Sequence, residues 1–223
     1  MHTITIGVFD GVHLGHQKLF HTMQALGTGS LVAVTFENHP QEYFTKEKIP
    51  LLFTPKTKIH FLREYGIDQI EMLPFDSAIA NMDYVTFLDR IQDKYPFTSL
   101  VLGENAAFGK NATGLPHAVM ELGKQKGFEV HYIPKLELDR TVVSSTEVRS
   151  LAKECRFSEL EKRLGRPFGL LYEKETTPLL PAGEYEVTIA ESIDILHIND
   201  KRRMHFQDSY PLYSPVEFIR RLS

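Results

Sequence analysis

The chain has 223 residues, 42% of them apolar, with 25 basic against 29 acidic side chains and a net charge of −4. That length admits one large domain, or one domain with a small appendage, and the apolar share is enough to build a core. The mild acidic balance argues against a general nucleic-acid binder, which carries a basic face, and still allows a local positive cluster around a small anion. The single cysteine, Cys155, cannot form an intrachain disulfide, so a reducing, cytoplasmic location is expected. It falls in an apparent helix and reads as structural. The opening MHTITIGVFD lacks a basic leader and reads as a strand, and no segment approaches the roughly 20 apolar residues that cross a bilayer.

In chain order, Thr3–Phe9 is a short β-branched, apolar run, a buried strand. HQKLFHTMQALG follows, with Leu19, Phe20, Met23 and Leu26 on one helical face and Gly27 as its stop. Ser30–Phe36 is a second buried strand. A β-loop-α-β opening packs naturally as a parallel sheet. Thr54 and Pro55 start a helix that ends at Gly66. DQIEMLPF is a strand, Asp83 caps a helix to about Tyr95, and Ser99–Gly103 is a third clear apolar strand. Pro116 opens a helix stopped by Gly127, and Phe128–Ile133 is the last strand of the series. Ser144 with Glu147, and Ser158 with Glu161, have capping-box spacing, and the second of these helices ends at Gly165.

Beyond Gly165 the texture changes. GEYEVTI alternates, with Tyr185, Val187 and Ile189 on one face, and IDILHI and RRMHF join through Asn199–Asp200. These predict a small antiparallel meander. SPVEFIRRL, with Ser214 and Pro215 at its start, predicts a short terminal helix. The fold class is therefore α/β: a Rossmann-like parallel sheet with flanking helices, plus a small C-terminal antiparallel β segment and a short helix. The texture places a boundary near Phe168, giving segments 1–168 and 169–223.

Ligands of open parallel sheets bind beyond the carboxyl ends of the strands. Four unusual stretches fall at such ends: GVFDGVHLGH, TFENHP, GENAAFGKNATG and DRTVVSSTEVR. His13 and His16, three apart, allow three readings. As metal ligands they are half a site, for which His39 or His117 would have to be recruited. As bland helix-start residues they need no function. As phosphate groups they sit among Gly7, Gly11 and Gly15, where backbone approaches closely and a helix N-terminus favours anions. Ser144 and Glu147 likewise cap a helix whose first turn offers Ser145, Thr146 and Arg149 to an anion. Asn105, Phe108 and Lys110 form a loop suited to an aromatic, polar ligand, or a plain loop. His39 precedes a proline, which fixes an extended chain there.

Together these motifs resemble a known family. GVFDGVHLGH looks like the His-x-Gly-His signature of nucleotidylyltransferases, in the form typical of bacterial FAD synthetases, the FMN adenylyltransferase module of bifunctional riboflavin kinase/FAD synthetases. TFENHP, GENAAFGKNATG and VSSTEVR are similar to that module's other motifs, and LGRPF to the boundary that closes it. Asn38 stands where the pattern has proline, Ala107 where it often has an aromatic or polar residue, and Val148 where it has isoleucine.

The resemblance implies adenylyl transfer from ATP to FMN, with Mg²⁺ bridging phosphate oxygens and no protein metal site. His13, His16 and Arg149 are then the catalytic candidates. Gly7, Phe9, Asp10, Gly11 and Gly15 belong to the nucleotide pocket, Ser145 and Thr146 to the leaving phosphates, and His39, Asn105, Phe108 and Lys110 to the flavin side. Partners reduce to the two small substrates, without nucleic acid or membrane, and the oligomeric state is left open. The kinase motif of the bifunctional relatives is absent, so 169–223 reads as a remnant of a kinase domain. Another phosphorylated acceptor, a non-catalytic flavin-nucleotide binder and a metal-dependent hydrolase are the competing readings.

Overall fold

A computed structural model describes the whole chain except residues 28, 174–178 and 208. It divides into two compact units. The first comprises Met1–Phe9, Gly15–Ile49 and Phe61–Leu136; the second comprises Asp10–Leu14, Pro50–His60 and Glu137–Ser223.

The first unit is built on a five-stranded parallel sheet: β1 (His2–Ile6), β2 (Ser30–Phe36), β3 (Gln69–Leu73), β4 (Phe97–Gly103) and β5 (Glu129–Ile133). The spatial order is β3-β2-β1-β4-β5. The apolar runs β1, β2 and β4 are the three inner strands, buried on both faces by helices, whereas the edge strands β3 and β5 keep half-exposed positions. The order reverses beside β1, so the carboxyl end of that strand is the topological switch point where a crevice opens. The helices α1 (Leu14–Leu26), α2 (Pro40–Thr45), α3 (Pro55–Glu64), α4 (Ser77–Asn81), α5 (Tyr84–Lys94) and α6 (Pro116–Lys126) separate the strands. Local chemistry explains their bounds. Asp83 accepts the Thr86 N–H at 2.9 Å at the start of α5, and Gly127, in the left-handed region, ends α6. Ile4, Val32, Leu88, Ile91 and Leu100 form the centre of this unit's core.

In the second unit, the hairpin β6 (Glu137–Leu138) and β7 (Thr141–Val142) leads into α7 (Ser145–Lys153) and α8 (Phe157–Leu164). The chain then forms an antiparallel sheet of β8 (Gly169–Leu171), β9 (Gly183–Ile189), β10 (Ser192–Ile198), β11 (Met204–His205) and β12 (Pro215–Arg221), in the order β11-β10-β9-β12-β8. Tyr185, Val187 and Ile189 share the buried face, as the alternation of β9 requires. Phe157, Phe168, Tyr185 and Phe218 close an aromatic cluster, with ring centroids 5.3 Å apart for Phe168 and Phe218 and 5.6 Å for Tyr185 and Phe218.

Three local expectations are corrected. The terminal SPVEFIRRL is strand β12, because Val216 and Phe218 alternate into the core and the Ser214 hydroxyl donates to Pro211 O at 2.9 Å instead of capping a helix. The second of the two capped helices begins at Phe157, one residue before Ser158. No side chain caps it, and the preceding Arg156 grips Glu159 through two hydrogen bonds. Cys155 lies between α7 and α8 with φ 55, its sulfur 3.6 Å from the Tyr185 hydroxyl, not within a helix. No helix is long and apolar enough to cross a membrane among the described residues.

Replacing the buried Phe168 by alanine is expected to cost about 3–5 kcal/mol, because the aromatic cluster cannot collapse into the space. Urea denaturation followed by circular dichroism measures it, and a loss below about 1 kcal/mol would contradict the packing described.

Candidate functional site

The residues singled out by sequence divide between the two units. Of those in the first unit, Gly7, Asn105 and Phe108 line a cavity of about 390 Å³ at the carboxyl ends of the parallel strands. Gly7, Phe36, Phe44, Phe75, Asn105 and Phe108 are among its walls, and Asn105 is the only polar side chain among the described lining residues. Gly7 is glycine for a steric reason. A Cβ there would stand 2.9 Å from the ring of Phe9. That ring in turn meets His16 edge-on at 5.2 Å and Phe20 at 5.4 Å. His16 and Gly15 lie in the first turn of α1, whose leading N–H groups have no intrahelical acceptor.

His39 is the N-cap of α2, and its Nδ1 accepts the Gln41 N–H at 3.2 Å. Its extended backbone is what the following proline imposes. His39 and Lys110 are not among the residues lining the cavity, whereas Pro40, Ala107, Phe108 and Ala112 beside them are. Lys110 opens a short 3₁₀ turn, its N–H donating to Met82 O at 2.8 Å.

The second-unit cluster is polar and centres on Asp10, which is fully buried. Its carboxylate accepts the N–H groups of Leu52 at 2.9 Å and Phe53 at 3.1 Å, and Nη1 of Arg149 at 3.0 Å. The Asp10 carbonyl accepts the Ser145 hydroxyl at 3.1 Å, and Arg149 Nη2 donates to Thr146 Oγ1 at 3.4 Å. Arg166, within LGRPF, donates to the carbonyl of Gly11 at 3.0 Å and lies over the Phe53 ring. Gly11 has φ 85, and a Cβ on it would approach Leu52 and Val148 to 3.1 and 3.2 Å. Val12, at φ 44, and Phe9 of the first unit, at φ 51, are strained for side-chain-bearing residues.

Burial pushes the His13 imidazole down to about 4, with the Arg149 charge acting in the same direction, so His13 is neutral at pH 7. Burial likewise pulls the Lys58 ammonium down to about 8 against the attraction of the Asp10 carboxylate. At the start of α7 the Ser144 Oγ accepts the Glu147 N–H at 3.3 Å, while the Glu147 carboxylate turns to Arg163 at 2.8 Å. Sequence reasoning missed Lys58, Arg166, Phe44 and Phe75. Only Arg166 carried a signal, through LGRPF. The other three gave none, since a lysine or a phenylalanine on a helix, and a phenylalanine at the end of a strand, read as ordinary.

A family model described as FAD synthetase matches residues 1–147. A bifunctional riboflavin kinase/FMN adenylyltransferase of Pseudomonas fluorescens is 34% identical over 169 residues, covering 74% of this chain and 54% of the relative. An FAD synthetase of Listeria monocytogenes is 30% identical over 195 residues, covering 82% of this chain and 79% of the relative. The chain thus spans about half the length of the bifunctional relative. A crystal structure titled as a macrolide-efflux protein from Streptococcus pneumoniae superposes with a TM-score of 0.74 at 20% identity, over 99% of this chain and 84% of the other, and shows the same fold.

Two outcomes follow from the buried charges. Asp10→Ala leaves two backbone N–H groups and the Arg149 guanidinium without their acceptor, an expected loss of about 3–5 kcal/mol in urea denaturation. A loss near zero would mean that Asp10 is not the anchor. For His13, the unfolded chain takes up a proton near pH 6.5 and the folded chain only near 4. Stability is therefore full above pH 6.5 and falls as the pH drops toward 4, by on the order of 3 kcal/mol. His13→Gln should flatten that part of the pH–stability curve, and an unchanged slope would place the titration elsewhere.

Proposed function

Because the chain belongs to the FAD synthetase family, we propose that it transfers the adenylyl group of ATP to FMN, giving FAD and pyrophosphate. The observation that carries this reading is the cavity of about 390 Å³, apolar and rich in phenylalanine, with one amide at its wall. Such a space suits a flat, aromatic ring system that needs few polar contacts. The polar second-unit cluster supports the phosphate half of the reaction.

The FMN phosphate is already a competent nucleophile near neutral pH. One of its oxygens attacks the α-phosphorus of ATP, the new P–O bond forms, and the bond to the β-phosphate oxygen breaks to release pyrophosphate. The protein has to align two anions and meet growing charge. Arg149 supplies a fixed cation. His13, neutral at pH 7, contributes a hydrogen-bond donor and not a charge. His16 and the first turn of α1 offer further donors, and Thr146 adds a hydroxyl. Asp10 and Ser145 act at one remove. Asp10 holds Arg149, and Ser145 fastens the loop through the Asp10 carbonyl. Gly7 and Phe9 shape the nucleotide side, while Asn105 and Phe108 serve the flavin side, with His39 and Lys110 at its margin.

A resident metal does not fit the donors present. Among the described residues no three His, Cys, Asp or Glu side chains converge, and the Asp10 carboxylate is already engaged by three donors. A divalent cation therefore enters as part of the substrate, MgATP. Residues 1–168 are proposed as the transferase and 169–223 as a remnant of a kinase domain, with no conversion of riboflavin.

The test is a product assay. Chain, ATP and Mg²⁺ are incubated separately with FMN and with riboflavin, and the flavins are separated by chromatography. FAD from FMN and nothing from riboflavin is the expected pattern, and no product from FMN overturns the reading. His16→Ala should lower kcat by about 10²–10³ with an unchanged circular dichroism spectrum. Normal turnover in that variant removes His16 from the mechanism.

A further inference from the structure

Asn38 and Phe75 meet just beyond the ends of two paired strands. In the β2–β3 ladder Phe36 pairs with Leu73, and the Glu37 N–H donates to Leu73 O at 3.0 Å. Two residues on, Asn38 stands in register with Phe75. There the ladder is continued by a side chain. Asn38 Oδ1 accepts the Phe75 N–H at 2.8 Å, and Asn38 Nδ2 donates to Phe75 O at 3.1 Å. The two bonds fix the orientation of the carboxamide, since a flipped amide would set donor against donor.

The clamp holds more than a turn. The Phe75 ring meets Phe36 edge-on at 5.3 Å, Phe44 at 6.1 Å and Tyr43 at 6.2 Å. Phe36, Phe44 and Phe75 all line the cavity, and Phe44 is 63% exposed. Phe75 also precedes Asp76, which caps α4 by accepting from Ala78 N at 2.9 Å and Ile79 N at 3.0 Å, and Ile79 and Ala80 belong to the same wall. Phe75 is only half-buried, so sheet packing alone does not immobilise it. Both of its backbone polar groups are instead spent on one carboxamide.

We propose that Asn38 is a positioning residue for the flavin: its carboxamide locks the backbone of Phe75, and Phe75 sets the aromatic wall against which the ring system packs. This inference rests on the flavin reading of the cavity. It makes the wall preorganised, so that binding does not have to order it.

The test is a double-mutant cycle read by flavin fluorescence, which reports FMN binding without turnover. Asn38→Ala is expected to weaken FMN binding about tenfold, through loss of two hydrogen bonds that order the wall. Phe75→Leu should weaken it by a similar factor. The double variant should be no more than about twofold worse than Phe75→Leu, because Asn38 then has no aromatic wall to position. In turnover, the KM for FMN should rise with Asn38→Ala while the KM for ATP stays in place, a split that general loosening of the fold would not produce. Asn38→Asp keeps the acceptor for the Phe75 N–H and loses the donor, so it reports the same effect if the alanine variant does not fold.

Wild-type affinity in the Asn38 variants, losses that multiply in the double variant, or a parallel rise in the KM for ATP would each overturn the positioning role. Failure of the unaltered chain to bind FMN would overturn the flavin reading itself, and this inference with it.

Discussion

One carboxylate, wholly withdrawn from water, organises the polar cluster. Asp10 is fully buried, and leaving a buried carboxylate without partners costs several kcal/mol. The compensation comes from separated parts of the sequence: two backbone N–H groups of residues 52 and 53, and the guanidinium of Arg149 on α7. Each donor is fixed because it answers the same charge. The loop that follows β1 inherits this order, and Ser145 and Arg166 hold its carbonyl groups at Asp10 and Gly11. His13 is neutral in the same surroundings because burial and the Arg149 charge both oppose its protonation.

The first unit solves a different problem, that of keeping an apolar space open. Large phenylalanine rings usually close on one another. Here the walls come from the ends of four parallel strands and from short elements such as α4, which Asp76 caps. Glycine at position 7 gives the Phe9 ring its place, and the ring supports His16.

Much of this was legible beforehand. The β-branched runs of β1, β2 and β4 announced a parallel sheet, and Asp83, Ser144 and Gly127 marked helix ends by chemistry that acts within a few residues. What failed was decided at longer range. SPVEFIRRL has a helix start signal, but its pairing between β9 and β8, with Val216 and Phe218 turned into the core, overrides it. Ser158 and Glu161 have the right spacing, yet Arg156 binds Glu159 and the helix starts earlier. At the candidate site the motif residues were visible as motifs. The clamp between Asn38 and Phe75, and the burial of Lys58, depend on strand register and helix rotation, which no short window of sequence encodes.

The strand order carries a consequence for synthesis. β1 is made before the other strands of its sheet and ends up in the middle, between β2 and β4. Its second edge stays bare until Phe97–Gly103 has been made. At an elongation rate of about 5–20 residues per second, that interval is several seconds. For that time the nascent chain shows an unpaired, apolar strand edge, a place where chains can pair wrongly and aggregate.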